Sequence, residues 1–312
     1  MSKKFVPVMI TPFTPQAELD FDMLKKLVDF YLAAGVKGLF ANCLSSEMYS
    51  IKEDERIALT KAVVDHVNGR VPVVATGSFG LTIEDKAEFT KKIFDTGIEA
   101  VVLITGHYAK VEEPESVMMR GLEKMMSLTG DIPLGLYECP VPYKRVVSAD
   151  ALKTLVSTGR MTYHKDTCCD VAQVQAKLDA IRGSDLQFFD AHTPNAVTSM
   201  KAGAAGMSAI AGNFYPEVMV WLCDNVDNPD KQEEVAWLQA ELVKADVIVH
   251  TAYPMSAKFF LQMRGLPIHA ISRAHAMEPT PKEKAGLDTL RNMMQSWCEK
   301  LDIREAEYEN VL

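Results

Sequence analysis

One lysine of this 312-residue chain closes an apolar segment, a position from which a side-chain amine can do covalent chemistry. The segment is Met161–Lys165, and an amine that leaves water at its end has its pKa lowered from about 10.4 toward roughly 7 or 8. The neutral amine is a nucleophile. With a 2-oxo acid it would form an iminium, which stabilises the carbanion needed to make or break a C–C bond. Without other evidence, a structural role explains Lys165 better than a nucleophilic one: a lysine at a strand end whose ammonium reaches solvent, because lysines are mostly exposed.

Tyr137 ends the preceding apolar segment, 28 residues before Lys165. One strand-helix unit has about this length, so the two side chains are expected on adjacent parallel strands. A phenol there could move protons when a carbinolamine loses water and when an aldol hydroxyl is deprotonated. A core tyrosine with a satisfied hydroxyl is the equally weighted alternative.

A polar turn follows the second apolar segment and contains Ser45 and Ser46. Their backbone N–H groups and one hydroxyl could form a nest for the acid group of a substrate. A helix cap with serine and glutamate at favoured positions explains the same residues at least as well.

The elements that must position these residues alternate between short β-rich runs and amphipathic helices, which is typical of parallel strand-helix units. Eight such units of about 25 to 30 residues predict an α/β fold of the closed (β/α)8 barrel type rather than an open sheet. Barrel enzymes place catalytic groups at the carboxyl ends of their strands, where Lys165 and Tyr137 lie. The predicted strands are Phe5–Ile10, Gly38–Ala41, Val71–Thr76, Ala100–Ile104, Pro133–Tyr137, Met161–Lys165, Leu186–Asp190 and Gly206–Ala209.

The strand signals stop after Asn228-Pro229. Residues 1–228 are therefore predicted to form the barrel, and residues 229–312 an added helical segment. Its apolar content predicts packing on the barrel or on a neighbouring subunit. Its three expected helices are Glu233–Val249, Met255–Arg264 and Lys282–Leu301.

Composition favours a protein that acts on small molecules. The formal charge of -9 opposes binding to nucleic acids or anionic membranes. No apolar run approaches the roughly 20 residues of a membrane span, and no nucleotide-binding glycine motif follows a strand. The six cysteines are too sparse for a disulfide framework and lack zinc spacing, so free thiols, no metal site and a cytoplasmic location are expected.

With these sites in place, essentially the whole chain resembles the dihydrodipicolinate synthase and N-acetylneuraminate lyase family of class I aldolases. The resemblance depends on five motifs in the same order and at similar spacing, which together are far more specific than any one of them. They are Thr11-Pro12-Phe13, Cys43-Leu44-Ser45-Ser46-Glu47, Thr105-Gly106-His107-Tyr108, Tyr137-Glu138-Cys139-Pro140 and Lys165-Asp166-Thr167.

The resemblance implies a role for each matched residue. Lys165 would be the Schiff-base lysine, Tyr137 the proton shuttle, and Ser45 and Ser46 the site for the pyruvoyl carboxylate. Tyr108 would match a tyrosine that completes the active site of a neighbouring subunit. The family is usually tetrameric and uses no metal or organic cofactor, so a homo-oligomer without a cofactor is implied.

Two departures from the family pattern concern the substrate. Leu44 stands where the family usually has a hydroxyl residue that links two tyrosines, so the usual proton relay is altered. Pro142 occupies the position of an arginine with which the synthases bind the carboxylate of aspartate semialdehyde, which disfavours that reaction.

Three further residues are expected at the barrel mouth. Ala191 and His192 lie in the turn after the seventh strand, where His192 could bind a hydroxylated substrate or be an exposed loop histidine. Ser208 ends the eighth strand and is expected to face the pocket.

The leading hypothesis for function is a lyase that cleaves a hydroxylated 2-oxo acid, such as a sugar acid, to pyruvate and an aldehyde. The enzyme alternatives are a dehydratase of 2-oxo-3-deoxy acids and a synthase that condenses pyruvate with an aldehyde, both through the same iminium. A non-catalytic sensor that binds a 2-oxo acid is the alternative from another class.

Overall fold

The apolar segments form eight short parallel strands in the computed structural model, which describes residues 2–274 and 278–306. From β2 to β8 each strand pairs with the next, and β8 pairs with β1. Hydrogen bonds from Phe40 N–H to Pro7 O (3.1 Å) and from Met9 N–H to Phe40 O (3.0 Å) join the first segment to the second and close the barrel. The strands are β1 Lys4–Phe5, β2 Leu39–Phe40, β3 Val73–Thr76, β4 Ala100–Ile104, β5 Leu134–Tyr137, β6 Met161–Asp166, β7 Gln187–Asp190 and β8 Gly206–Met207.

One helix follows each strand, which confirms the predicted (β/α)8 architecture. Two of the barrel helices begin at capping side chains. Thr82 and Asp85 form a reciprocal capping box, and the Ser148 hydroxyl accepts a hydrogen bond from Ala151 N–H. The barrel helices are α1 Phe21–Ala33, α2 Glu53–Val67, α3 Ile83–Phe94, α4 Glu115–Leu128, α5 Ala149–Val156, α6 Val171–Ala180, α7 Ala196–Ala202 and α8 Pro216–Asn225.

The first strand is shorter than the predicted span Phe5–Ile10. Pro7 has no N–H to give to the ladder, so regular pairing ends at Phe5. The chain then runs extended, and Val8 pairs with Phe40 as a single bridge.

Strand β6 shows how the barrel sorts side chains onto its two faces. Successive strand residues point to opposite faces. Tyr163 therefore lies inside the barrel, where its ring stacks on Phe189 at 4.9 Å, and Lys165 shares that inner face. His164 and Asp166 point outward toward α6.

Three helices follow the barrel: α9 Gln232–His250, α10 Met255–Met263 and α11 Pro281–Leu301. Each begins and ends within one residue of its predicted bounds. They lie against the barrel, where Trp297 packs edge-on against Tyr215 and Arg264 forms a buried ion pair with Glu217. In the described ranges no helix combines the length and the apolar character needed to cross a membrane.

Candidate active site

A cavity of about 510 Å³ opens at the carboxyl ends of the strands. Six of the eight predicted site residues line it. Since they come from different strand ends and from the loops that follow, the barrel brings together side chains that are far apart in sequence. These six are Ser45, Tyr137, Lys165, Ala191, His192 and Ser208.

The Lys165 side chain lies in an apolar setting, with 4% of its surface exposed. Its Nζ lies 4.4 Å from the centre of the Tyr137 ring and 5.7 Å from that of Phe40. Within the described residues no carboxylate forms an ion pair with it. Burial lowers the pKa of the amine to about 8, although the nearby thiols of Cys43 and Cys139 oppose the shift. A useful fraction of Lys165 is therefore neutral near pH 7 to 8.

Tyr137 is paired with Lys165 in the register of β5 and β6, as its sequence spacing predicted. Burial raises the pKa of its phenol well above the ordinary value, and the thiols of Cys139 and Cys43 raise it further. The phenol is thus protonated at neutral pH and can start a reaction as a proton donor.

Ser45 and Ser46 differ in their positions although they are adjacent. Ser45 lines the cavity. Ser46 is fully buried outside the cavity, where its hydroxyl accepts a hydrogen bond from Cys43 N–H (3.1 Å) and lies 2.7 Å from Met9 O and 2.6 Å from Ala41 O. These contacts hold the turn in place and occupy the Ser46 hydroxyl, so Ser45 is the serine whose side chain lines the cavity, and the carboxylate site at this turn stays a prediction.

Tyr108 also lies outside the cavity. Its side chain is 6% exposed and packs against α4, where Gly121 leaves room for the ring. A Cβ atom at Gly121 would be 3.1 Å from the ring. In this chain the ring packs inside its own subunit. The role that the resemblance implied for Tyr108, completing the active site of a neighbouring subunit, stays a prediction.

The loops after β7 and β8 supply the polar wall of the cavity. Asp190 accepts a hydrogen bond from His192 N–H (2.8 Å) and another from the Ser199 hydroxyl, which fixes the turn. Within the described part of the chain neither ring nitrogen of His192 has a protein partner, so the imidazole is available to a ligand. Ser208 accepts a hydrogen bond from the Tyr163 hydroxyl (3.3 Å).

Tyr253 was not predicted as a site residue. It lies in the connection between α9 and α10, and the C-terminal segment places it in the cavity. Its phenol accepts a hydrogen bond from Asn213 Nδ2 (2.7 Å). Burial raises its pKa well above the ordinary value, while a hydrogen bond with Ser45 lowers it. A tyrosine in a helix-helix connection carries no local signal of function, so only the packing of the segment on the barrel reveals it.

A second polar cluster lies behind the cavity, between β5, β6 and α6. Lys177 Nζ lies 2.5 Å from a carboxylate oxygen of Glu138 and 2.5 Å from one of Asp166. His164 Nε2 is 3.7 Å from the same two oxygens. Although Glu138, His164 and Asp166 are close enough together to ligate a metal ion, the Lys177 ammonium already lies between the two carboxylates. The cluster is a buried ion-pair network adjoining Tyr137 and Lys165.

Fold and cavity together define a (β/α)8 barrel with a buried, partly neutral amine at the carboxyl ends of its strands. The dihydrodipicolinate synthetase family model matches residues 1–295, and the chain belongs to this family. Members are synthases and aldolases, so the chain is an aldolase-type or lyase-type enzyme, as the sequence had indicated.

Similar proteins come from several bacteria. The 4-hydroxy-tetrahydrodipicolinate synthase of Saccharophagus degradans is 28% identical over 263 residues, which cover 83% of this chain and 87% of that protein. The putative 2-dehydro-3-deoxy-D-gluconate aldolase YagE of Escherichia coli is 28% identical over 247 residues, covering 77% of this chain and 76% of YagE.

Solved structures share the fold. The crystal structure of YagE in complex with pyruvate has a TM-score of 0.83 and 23% identity, covering 97% of this chain and 99% of that one. Dihydrodipicolinate synthase DapA-2 of Bacillus anthracis has a TM-score of 0.82 and 23% identity, covering 95% and 98% of the two chains.

Proposed function

We propose that this enzyme is a lyase that cleaves a hydroxylated 2-oxo acid to pyruvate and an aldehyde through a Schiff base on Lys165. The observation that carries the proposal is the buried Lys165 amine, whose pKa is lowered to about 8, in register with Tyr137. Pyruvate bound to YagE and the aldolase name of that relative support the same chemistry.

The reaction begins when neutral Lys165 Nζ attacks C2 of the substrate and forms a carbinolamine. Tyr137 gives its proton to the departing hydroxyl, water leaves and the iminium forms. The Tyr137 phenolate then removes the proton of the C4 hydroxyl. The C3–C4 bond then breaks. The electron pair of this bond goes to the iminium and gives an enamine, and the aldehyde leaves. Protonation at C3 and hydrolysis release pyruvate and restore the amine.

The cavity walls suggest how the two ends of the substrate are held. Ser45 and the protonated phenol of Tyr253, which lie together, are suited to donate hydrogen bonds to the substrate carboxylate. His192 and Ser208 form the wall that is suited to hydroxyl groups of the aldehyde half. Leu44 also lines the cavity and carries no proton to relay. The thiol of Cys139, whose pKa burial raises to about 11, is the protonated group beside Tyr137.

The test of this function is reductive trapping on Lys165. Incubation with pyruvate and sodium borohydride should add roughly 72 Da at one lysine, because covalent Schiff-base catalysis requires the iminium that borohydride reduces. Peptide mapping should place the label on Lys165. The Lys165→Ala variant should lose labelling and turnover but keep its circular dichroism spectrum, whereas Lys153→Ala, at an exposed position of α5, should be labelled like the wild type. A label on another lysine, or none, would show that the assignment is wrong.

We also propose that the chain acts as a homo-oligomer. Support comes from the family resemblance and from large apolar side chains exposed on loops at the carboxyl end of the barrel. Leu81 is 97% exposed and Val111 is 70% exposed. Such side chains in neighbouring loops are typical of a surface that a partner covers.

A further inference from the structure

The segment Tyr143-Lys144-Arg145 sends only one of its side chains toward the cavity. The Tyr143 hydroxyl donates a hydrogen bond to Ala109 O. The Arg145 guanidinium binds Glu113 O at 2.8 Å and the Tyr143 hydroxyl at 3.0 Å. Lys144 lines the cavity. Of the two cations that follow Pro142, only Lys144 can therefore meet a substrate.

The Lys144 ammonium is only partly used by the protein. Its Nζ donates a hydrogen bond to Thr167 O at 2.6 Å and a long one to Cys169 Sγ at 4.0 Å. Among the residues with described positions no carboxylate forms an ion pair with it. An ammonium has three N–H donors, so one remains for a ligand.

The carboxylate that lines the same cavity does not balance this charge. Glu47 is buried and forms an ion pair with Lys258 at 2.9 Å. It also accepts hydrogen bonds from Arg273 N–H (2.7 Å) and Ala274 N–H (2.9 Å). Because Lys258 already neutralises Glu47, the mouth of the cavity keeps the positive charge of Lys144.

We propose that Lys144 forms a subsite for a second anionic group, a carboxylate or a phosphate, at the end of the substrate remote from C2. The proposal rests on the Schiff-base function given above and specifies its substrate class. Thr167, which Lys144 contacts, is two residues beyond Lys165, a span of at most roughly 7 Å along the chain. Because Lys144, Lys165 and Ser45 all line the cavity, a 2-oxo acid joined to Lys165 with its own carboxylate at Ser45 directs its aldehyde half into the space that Lys144 borders.

The test compares 2-oxoadipate with 2-oxohexanoate, which have the same number of carbon atoms and differ in a terminal carboxylate. Each is trapped on Lys165 with cyanoborohydride, and the concentration that gives half-maximal labelling is measured. In the wild type this concentration should be ~10-fold lower for 2-oxoadipate, as expected for a charge-assisted hydrogen bond at a partly exposed site. Lys144→Gln should reduce the preference to less than ~2-fold, and Lys144→Arg should retain it.

A second pair distinguishes phosphate from carboxylate. 2-Dehydro-3-deoxygluconate and its 6-phosphate are compared in the same way. If the Lys144-dependent preference for the anionic ligand is larger in the first pair, the group is a carboxylate; if it is larger in the second pair, the group is a phosphate. Pyruvate labelling of the wild type distinguishes failure of the Lys144 subsite from failure of the Schiff-base function. If pyruvate labels Lys165 but neither pair shows a preference, or Lys144→Gln keeps the preference, the subsite is refuted and the Schiff-base function stands. If pyruvate leaves no label, both are refuted.

Discussion

Lys165 owes its expected reactivity to burial beside aromatic rings rather than to a neighbouring base. Since burial lowers the pKa of the amine to about 8, its neutral form increases as the pH rises through that value. We expect the rate of pyruvate trapping with cyanoborohydride to rise with pH, with a midpoint near 8, and then to level off. The measurement is the initial labelling rate between roughly pH 6 and pH 10. A midpoint near that of an exposed lysine, about 10.4, would contradict the role of burial.

Tyr137 and Tyr163 offer a matched pair for testing the proton shuttle. Both are buried tyrosines on the inner face of neighbouring strands, but only Tyr137 lines the cavity. Tyr137→Phe should lower turnover by roughly two to four powers of ten, because a positioned acid-base group contributes about that much, while slow labelling of Lys165 persists. Tyr163→Phe removes only the long hydrogen bond to Ser208 and should change turnover by less than ~10-fold. Equal effects of the two substitutions on turnover would exclude a special role for Tyr137.

The sequence is sufficient to predict some of these residues and not others. Lys165 and Tyr137 could be placed side by side because each ends a strand and one strand-helix unit separates them. Ser45 and Ser46 could not be distinguished, since the direction of the Ser46 hydroxyl depends on backbone carbonyls of Met9 and Ala41 that the turn brings together. Tyr253 could not be found at all, because its position depends on how the C-terminal helices pack.

Strand β6 serves two purposes at once through the alternation of its side chains. Its inner face presents Lys165 to the cavity, and its outer face presents Asp166 to Lys177 on α6. The number and order of the strands were predictable because short β-rich runs alternate with amphipathic helices along the chain. The ends of the strands were less predictable, because a proline such as Pro7 interrupts the hydrogen-bond ladder at a point where the apolar pattern continues.

The buried network behind β6 is expected to be essential for stability. Lys177→Met would leave Glu138 and Asp166 buried without their cation, and removal of one partner of a buried ion pair typically costs about 3–5 kcal/mol. We expect a decrease of this size in the free energy of unfolding, measured by urea denaturation at neutral pH. Lys153→Met, at an exposed position on α5, is the control and should change stability by less than ~0.5 kcal/mol. A change below ~1 kcal/mol for Lys177→Met would mean that the network contributes little.

At the scale of the whole molecule, the loops after β2, β3, β4 and β5 expose large apolar side chains at the same end of the barrel. These are Tyr49, Leu81, Val111 and Val141. The Tyr49 hydroxyl donates a hydrogen bond to Val141 O (2.8 Å) and lies 2.8 Å from His107 Nε2, so the loops after β2, β4 and β5 are held together within the chain. A firmly held apolar surface of this kind is suited to bind a second copy of the chain.

We therefore expect the wild type to have at least twice the chain mass of 34.6 kDa in solution, as a dimer or tetramer. Replacing Leu81 and Val111 by glutamate should shift the mass toward the monomer, because burying the new carboxylates at an interface would cost more than the lost apolar contact alone. Light scattering at micromolar concentration measures the mass. Val247→Glu is the control, since Val247 is 75% exposed but belongs to α9 and not to these loops. A monomeric wild type would refute the oligomer, and an unchanged mass in the double variant would place the interface on another face of the barrel.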